Sequence, residues 1–540
     1  MPRPSLIAPI ASLLFGVLWA GLPAPTHGQT ADDAYRFSTR FPAVGTRATG
    51  MSGAGGVAGW ADPSALYTNP AGLGYYQQSE ISGSLSALLS QDESTYQIFV
   101  DGPSSRRTSD NATARLGHLT GVYNVDTEQG SLVFALGFNR TSAFDRELTY
   151  TGENSASSIT DTFLPFSNEY SASEDNGTLN IDVFPTVPFV AFQAGAIEFF
   201  DARFQDDEYP FLQAVAPGRD IQQEGTVSRG GSMNEVSVAG AVEVAPDVMI
   251  GAAANFSYGS YVFESELTET DLGGDDDYSV IVGDGLLEDF QSLFFRERFT
   301  SDLTGLNLRV GFSGAATDNV RVGFAVETPT WYSIDEAFTN AFMRTEFQNG
   351  SLTYGDDSRE DAARGEFEYE LQTPWRLSTG VTYTGGPLLL SADVEFVDWS
   401  QAHLDADTEE PVIDQANQTL DEYSYVFNWR GGAEYRSDSG LALRAGVAYR
   451  PGARGFDFTL ADGEDADRSR LFFSAGAGVS LTDRLSLNAA WMQERSKDQF
   501  VPYASVTPPT APADADPIAV PFIDEEVVRN QVRVGLRYSF

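Results

Sequence analysis

Residues 531–540, the last ten of the chain, read QVRVGLRYSF and alternate between two chemical classes. The apolar positions are Val532, Val534, Leu536, Tyr538 and Phe540. Polar residues or glycine stand between them. Because successive side chains of a β-strand point to opposite faces, this segment has one apolar face and one polar face. The pattern predicts a strand that separates an apolar environment from a polar one.

Similar alternation recurs through the chain and predicts fourteen strands. They lie near 79–90, 112–125, 131–140, 232–244, 248–260, 303–314, 319–328, 367–384, 388–398, 425–436, 441–450, 468–480, 484–495 and 527–540. Alternation by itself fits a soluble β-sandwich as well as a membrane barrel, so we use the lengths of the connections between the strands to distinguish these two folds.

The connections fall into two classes. After every even-numbered strand the joint is short and rich in Gly, Pro, Asp or Ser, as in Gly385-Gly386-Pro387, which is typical of tight hairpins. Most other joints are long, notably 141–231 and 261–300. Short periplasmic turns and long extracellular loops are typical of outer-membrane barrels. We therefore predict an all-β fold, a transmembrane antiparallel barrel of about fourteen strands over residues 79–540 in a bacterial outer membrane.

The N-terminus begins Met-Pro-Arg and continues with an apolar run from Leu6 to about Leu22. A basic start, an apolar centre and small residues before a polar one predict a secretory signal peptide over 1–28, cleaved after Gly28. The alternative is a membrane anchor, which the prolines and glycines that interrupt the run disfavour.

The composition argues against several classes of function. The formal charge is -44, from 33 Lys and Arg and 77 Asp and Glu, which argues against a nucleic-acid partner. With no cysteine and three histidines, the chain offers little for a catalytic triad or a zinc cluster. We expect no enzymatic activity, no metal and no cofactor. The acidic clusters of the loops, such as Asp275-Asp276-Asp277, are interpreted as solvated surface, with divalent-cation binding as the alternative.

Residues 29–78 differ from the barrel in composition. A glycine-rich stretch, 45–56, precedes a corner formed by Asn69, Pro70 and Ala71. Glycine suits close packing in a confined space, and Pro70 biases Asn69 towards an extended backbone. The segment is predicted to be a hatch inside the lumen, and the alternative is a periplasmic tail with a turn.

These motifs resemble the FadL/TodX family of outer-membrane transporters for long-chain fatty acids and aromatic hydrocarbons. The resemblance rests on the glycine-rich stretch with Asn69-Pro70-Ala71, on Thr373-Pro374-Trp375 with Val397-Asp398-Trp399-Ser400, and on Trp429 to Tyr449. It implies a monomeric barrel in outer-membrane lipid and lipopolysaccharide, with a gating hatch at Asn69, Pro70 and Ala71. It also implies gated passive uptake of a hydrophobic small molecule, and assembly machinery that reads the C-terminal Phe540.

Two groups of residues are candidates for contacting that ligand. The first is the apolar part of the longest loop, Phe184, Phe189, Phe192, Phe199 and Phe200, because an exposed apolar patch is often a binding site. These residues could equally form the loop's own core. The second is the set of inward arginines, represented by Arg376, Arg430 and Arg444, which could bind a ligand carboxylate. Ion pairs that brace the wall and dock the hatch are the alternative.

A second function remains open at this point. Barrels that resemble this one, with the same Asn-Pro-Ala corner, serve as partners or shuttles for protein secretion or surface-attachment systems. The extracellular loops, longer and more charged than the resemblance leads us to expect, leave the ligand undetermined.

Overall fold

The computed structural model describes residues 31–99, 102–166, 168–175, 178–183, 186–199, 211–216, 218–273, 278–282, 285–355, 363–406, 411–453, 468–507 and 516–540. Over these residues the chain forms a closed antiparallel barrel, because the last strand pairs with the first. The predicted fold is confirmed, with fourteen wall strands. The predicted signal peptide lies outside the described residues.

The strands are, in chain order, β1 (Glu80–Gln97), β2 (Ser105–Val125), β3 (Leu132–Ala143), β4 (Arg146–Asn154), β5 (Tyr170–Asp175), β6 (Thr178–Val183), β7 (Ile197–Phe199), β8 (Phe211–Gln213), β9 (Ile221–Ala245), β10 (Val248–Asp271), β11 (Ser279–Val282), β12 (Gly285–Glu288), β13 (Phe290–Thr317), β14 (Val320–Glu327), β15 (Trp331–Phe347), β16 (Gly350–Tyr354), β17 (Ala363–Gln372), β18 (Arg376–Gly385), β19 (Leu388–Asp398), β20 (His403–Asp405), β21 (Tyr425–Arg436), β22 (Leu441–Arg450), β23 (Arg470–Ser480), β24 (Leu485–Phe500) and β25 (Phe522–Ser539). In the wall, β3 continues as β4, β14 as β15, and β17 as β18.

The helices are few and short. They are α1 (Ala31–Ser38), α2 (Thr46–Thr49), α3 (Ala65–Thr68), α4 (Thr186–Gln193) and α5 (Pro411–Asp421), with 3-10 helices at Pro70–Tyr75, Ile159–Phe163 and Trp399–Gln401. None of the helices in the described part of the chain is both long and apolar enough to cross a membrane.

The wall strands have the two faces that the sequence predicts. On β1 the side chain of Leu85 is 67% exposed on the outside, while its neighbours Ser84 and Ser86 are buried inside. Leu306 on β13 is likewise 61% exposed. Large apolar side chains are stable on this outer surface only if lipid covers them, which is why the pattern requires a membrane.

Short turns close one end of the barrel. They occupy 126–131, 246–247, 318–319, 386–387, 437–440 and 481–484, where the sequence predicts hairpins. Four of them contain a residue with positive φ, namely Gly130, Asp247, Gly386 and Gly440. Glycine and aspartate tolerate this conformation, so the residue types of the turns follow from their geometry.

At the other end several strands continue well beyond the ~9–11 residues that cross a bilayer. β10 has 24 residues and β13 has 28. The outward face of β10 changes from Ile250 and Phe256 to Glu264 and Glu266, and the charged residues place its outer half outside the membrane. The loops predicted at 141–231 and 261–300 are therefore partly strand, and the segments between the wall strands are 155–220 and 272–289.

Two neighbouring wall strands are interrupted at the same level, which corrects the continuous strand predicted at 367–384. The breaks are Thr328-Pro329-Thr330 and Thr373-Pro374-Trp375. Proline has no N–H to donate to a strand ladder, so pairing must stop there. The threonines bridge the break: Thr330 N donates to Thr373 Oγ1 at 2.8 Å, and Thr373 N donates to Thr330 O at 3.0 Å.

The segment 155–220, called the cap below, packs over the outer ends of the wall strands. Within its described residues it contains β5, β6, α4, β7 and β8. Its buried residues, including Ile159, Phe163 and Val190, share one apolar core with Leu148 of β4 and Phe290 of β13.

Candidate functional site

Residues 31–78, called the plug below, lie inside the barrel, and most of them are buried. The wall accommodates the plug at inward glycines. A Cβ at Gly323 would overlap the backbone of Val57, and a Cβ at Gly446 would overlap the backbone of Met51. These positions require glycine because main chain lies directly against them. The boundaries predicted for the hatch, 29–78, stay a prediction.

The corner of Asn69, Pro70 and Ala71 is fixed on both sides. Asn69 Oδ1 accepts a hydrogen bond from Ala71 N at 3.0 Å. Its Nδ2 donates to Val57 O of the plug at 2.6 Å and to Phe312 O of the wall at 2.9 Å. Pro70 starts the following 3-10 helix. The corner thus joins two parts of the plug to the wall, and its predicted gating role stays a prediction.

Ion pairs connect the plug to the wall at two levels. Arg40 of the plug contacts Glu327 of β14 at 2.8 Å. Arg47 of the plug contacts Glu434 of β21 at 2.9 Å through two parallel hydrogen bonds. Asp393 of β19 accepts a hydrogen bond from Gly55 N at 2.9 Å. Buried charges need such partners, and bidentate pairs also fix orientation.

The three candidate arginines all point into the lumen and bind protein acceptors. Arg376 donates to Ser38 O at 2.6 Å and pairs with Glu395 at 3.3 Å. Arg430 donates to Pro42 O at 3.2 Å, and Arg444 pairs with Glu434 at 2.6 Å. Their hydrogen bonds favour the alternative of plug docking and wall bracing, and their contact with a ligand stays a prediction.

The candidate phenylalanines of the cap divide into two groups. Phe189, Phe192 and Phe199 are partly buried and pack against the core of the cap. Phe199 and Phe211 have ring centroids 5.4 Å apart. These contacts favour a role in the loop's own core. Phe184 and Phe200 lie outside the described residues, as do the acidic clusters at 275–277, 356–357 and 462–467.

A cavity of about 500 Å³ lies above the plug, and we call it the outer cavity. Its lining combines aromatic and cationic side chains with the carboxylates of Asp32, Glu494 and Asp498. The aromatic residues are Tyr35, Phe144, Tyr261, Phe263 and Phe500, and the cationic residues are Arg36, Arg146, Arg229, Arg468, Arg470, Lys497 and Arg529. Such a surface suits a molecule with an apolar body and an anionic or polar end.

Carboxylates pair with every arginine of this cationic lining. Arg146 contacts Asp92 at 2.7 Å, and Arg470 contacts Glu494 at 3.3 Å. The sequence does not predict this cavity, since its walls come from the plug and from the outer ends of β3, β4, β9, β10, β23, β24 and β25. The local sequence contains one hint of the cavity, an aromatic residue next to a cationic one at Tyr35-Arg36, a few residues after the predicted signal peptide.

The wall has a seam where β2 and β3 separate. Their pairing starts at Val125 and Leu132 and ends at His118 and Asn139. Beyond that point β2 stays paired only with β1, while β3 and β4 follow β9. Gly117 bulges out of register where the separation begins. The backbone ladder of the wall is therefore interrupted between β2 and β3 from this point outwards.

Side chains bridge the seam in place of a backbone ladder. Arg115 of β2 contacts Asp145, between β3 and β4, at 2.6 Å. Ser109 Oγ donates to Glu147 O at 2.6 Å. Because side-chain contacts can break without unfolding a strand, the seam is the part of the wall most suited to open.

A second cavity of about 270 Å³, called the inner cavity, lies between the plug and the wall on the periplasmic side. Its lining is mostly polar and includes Thr46, Asp62, Ser82, His118 and Arg537. Lumenal space therefore exists on both sides of the plug.

A buried carboxyl fastens the cap. Glu269, on the outer half of β10 beyond the membrane, accepts hydrogen bonds from Ser158 and Ile159 of the cap and from Gln223. Burial raises the pKa of Glu269 to about 7 from its ordinary 4.5, although the three hydrogen bonds favour the charged form. The folded protein therefore prefers the neutral acid at moderately low pH.

The cap is expected to loosen as the pH rises from about 4.5 to about 7. The pKa of Glu269 is higher in the folded state than in the unfolded state. Protonated Glu269 therefore stabilises the folded cap fully below about pH 4.5. This stabilisation, up to about 3 kcal/mol, is lost as the pH rises to about 7. Glu269→Gln should remove this part of the pH dependence, since the amide has the shape of the carboxyl, can still accept the hydrogen bond of Ser158 and does not titrate.

The rate of proteolysis within the cap, measured on reconstituted protein between about pH 5 and pH 8, checks this expectation. Glu153→Gln, at an exposed position of β4, is the matched control and should leave the profile unchanged. Equal profiles for the wild type and Glu269→Gln would contradict the assignment.

Comparison with known proteins identifies the family to which this barrel belongs. A model of the family described as "Outer membrane protein transport protein (OMPP1/FadL/TodX)" matches residues 217–507. No curated protein sequence matches the chain. Among solved structures, a FadL homologue of Pseudomonas aeruginosa is similar with a TM-score of 0.52 and 13% identity, over 93% of this chain and 100% of that chain.

Two further structures are similar at lower scores. The P. putida toluene transporter TodX has a TM-score of 0.47 and 11% identity, over 93% of this chain and 99% of that chain. The Ralstonia pickettii toluene transporter TbuX has a TM-score of 0.44 and 14% identity, over the same shares. Since the family model covers more than half of the residues, the chain belongs to the OMPP1/FadL/TodX family of outer-membrane transport proteins.

Proposed function

We propose that this chain mediates gated, passive uptake of hydrophobic small molecules, such as long-chain fatty acids or aromatic hydrocarbons, across the outer membrane. The observation that carries the proposal is the outer cavity, in which aromatic side chains and ion-paired arginines face the same space above the plug. Family membership and the names of similar structures, a FadL homologue and toluene transporters, support it.

The proposed path begins at the outer cavity and leaves through the seam. An apolar solute that reaches the periplasmic side would have to enter water, whereas an exit through the wall leads into lipid. β4 connects the two sites, because Arg146 lines the outer cavity while Asp145, the preceding residue, bridges the seam. Occupancy of the cavity could therefore be coupled to opening of the seam.

We propose a non-enzymatic monomer, since a single chain closes the barrel, and a wall in contact with outer-membrane lipid and lipopolysaccharide. Phe540 is the proposed signal for the barrel-assembly machinery. Its side chain is 56% exposed, while its N donates to Ser79 O at 2.9 Å and thereby anchors the terminus beside β1.

Uptake by a bacterium that lacks its own transporters of this kind tests the proposal. Expression of the full chain should raise the rate of entry of radiolabelled oleate or toluene by about tenfold, which corresponds to a barrier lowered by roughly 1.4 kcal/mol. Entry of sucrose should not change, because the plug excludes polar solutes. Unchanged entry of both apolar compounds, with the barrel correctly assembled, would refute the proposed function.

The outer cavity can be tested by a single substitution. Phe500→Asp should raise the concentration needed for half-maximal uptake by about tenfold, because it places a charge on the apolar lining. The matched control is Phe99→Asp, at an exposed position just after β1 and outside the lining of the cavity, which should leave the concentration dependence unchanged. A Phe500→Asp protein with unaltered concentration dependence would show that the cavity does not capture the ligand.

A further inference from the structure

Arg533 of β25 differs from the other arginines of the lumen. Its side chain is fully buried, and its Nε and both terminal nitrogens have no hydrogen-bond partner among the described residues. No ion pair to Arg533 occurs there either. The Phe41 ring of the plug, whose centroid is 5.7 Å from the guanidinium carbon, is its aromatic neighbour.

Other buried arginines of the lumen have counter-ions within the protein. Arg309, Arg376 and Arg444 each contact a glutamate within 3.3 Å. A guanidinium remains charged in proteins, and a buried charge without a counter-ion is strongly destabilising. A site that keeps this arrangement is suited to an anion that arrives from outside the protein.

Arg533 lines neither cavity itself but lies on β25 between residues that do. Four residues earlier on the same face of β25, Arg529 lines the outer cavity. Two residues later, Gly535 lines the inner cavity together with His118. Arg533 pairs in register with Ser86 of β1, and β1 in turn pairs with β2, the strand that forms one edge of the seam.

His118 supplies a second polar group next to this position. Its Nδ1 is 2.6 Å from Ser84 Oγ, whereas its Nε2 is buried without a partner among the described residues. If the serine hydroxyl donates to Nδ1, the ring proton is on Nε2, which can then donate to a ligand.

We propose that Arg533 is a transit site for the carboxylate of an amphiphilic ligand between the outer cavity and the seam, with His118 as the adjacent donor. The inference rests on the proposed function and adds to it a residue that recognises the carboxylate of the acids among the proposed ligands. A guanidinium binds a carboxylate through two parallel hydrogen bonds, for which it has the necessary free donors.

Binding of dodecanoate and of dodecanol to the purified full chain tests the site. Arg533→Gln should weaken dodecanoate binding by about tenfold or more and change dodecanol binding by less than about twofold, because only the acid can use the guanidinium. Arg533→Lys should retain part of the preference, since the charge remains but the paired donors are lost. Arg484→Gln, in an exposed periplasmic turn, is the charge-matched control.

Thermal stability gives a second measurement that also monitors folding. Without ligand, Arg533→Gln should unfold at a higher temperature than the wild type, because it removes an unpaired buried charge. Dodecanoate should raise the unfolding temperature of the wild type but not of the variant. A variant less stable than the wild type, or equally stabilised by dodecanoate, would overturn the inference.

The outcomes separate this inference from the proposed function. Uptake of both probes by the wild type and unchanged dodecanoate uptake by Arg533→Gln would refute the transit site alone. Failure of the wild type to bind or take up either probe would refute the proposed function itself. Uptake of dodecanol only would show that the channel serves neutral ligands, and would also refute the transit site.

Discussion

Replacement of Glu395 by glutamine is expected to release the plug from the wall. This carboxylate of β19 is buried and lies among three guanidinium groups, those of Arg376 at 3.3 Å, Arg430 at 3.4 Å and Arg40 at 3.9 Å. It also accepts a hydrogen bond from Asn428 at 2.9 Å. Removing one partner of a buried ion pair costs about 3–5 kcal/mol, because the remaining charges stay buried without compensation.

Two measurements check the expectation. The temperature at which the folded barrel converts to its unfolded form on an electrophoresis gel should fall, and ion conductance through the reconstituted channel should rise as the plug loosens. Glu128→Gln, in the exposed periplasmic turn after β2, provides the control for loss of one carboxylate. A Glu395→Gln protein with wild-type stability and conductance would show that the arginines are stabilised in another way.

The wall of the barrel could be predicted from the sequence because its signal is local. In β22, for example, the alternation of Leu441, Leu443 and Val447 with small or charged residues is complete within ten residues. The turns were predictable for the same reason, since Gly386 and Gly440 occupy positions of positive φ. Neither inference requires knowledge of a distant segment.

The candidate site could be predicted only in part, because its contacts join distant segments. Alternation correctly placed Arg376 and Arg430 inside the barrel. It could not show that Ser38 O and Pro42 O of the plug accept their hydrogen bonds, more than 300 residues away in sequence. Whether an inward arginine meets the protein or a ligand depends on this packing, and no local pattern records it.

The seam was invisible in the sequence for a related reason. Residues 105–117 of β2 and 140–143 of β3 lie within strands whose residue types do not reveal which neighbour they pair with. Their separation depends on the bulge at Gly117 and on the inward turn at Phe144, whose ring contacts Tyr261 with a centroid distance of 5.2 Å. Tertiary packing overrides local propensity at this point.

Cross-linking the seam is expected to stop transport, and the chain is well suited to the experiment because it contains no cysteine. Arg115→Cys together with Asp145→Cys places two thiols where an ion pair of 2.6 Å now bridges the strands. A short bis-methanethiosulfonate should join them. If ligand leaves through the seam, uptake falls by about tenfold or more on cross-linking, equivalent to at least 1.4 kcal/mol, and recovers when reductant cleaves the link.

The same double variant without the cross-linker should transport at least as fast as the wild type. Arg115 is one-third exposed, so loss of its ion pair costs little stability while it removes a contact that holds the strands together. Ser437→Cys with Ser439→Cys, a hydrogen-bonded pair in an exposed periplasmic turn, controls for the reagent and should show no effect. Full transport through a seam that is shown to be cross-linked would mean that the ligand passes the plug and leaves on the periplasmic side, where the inner cavity would then be the exit.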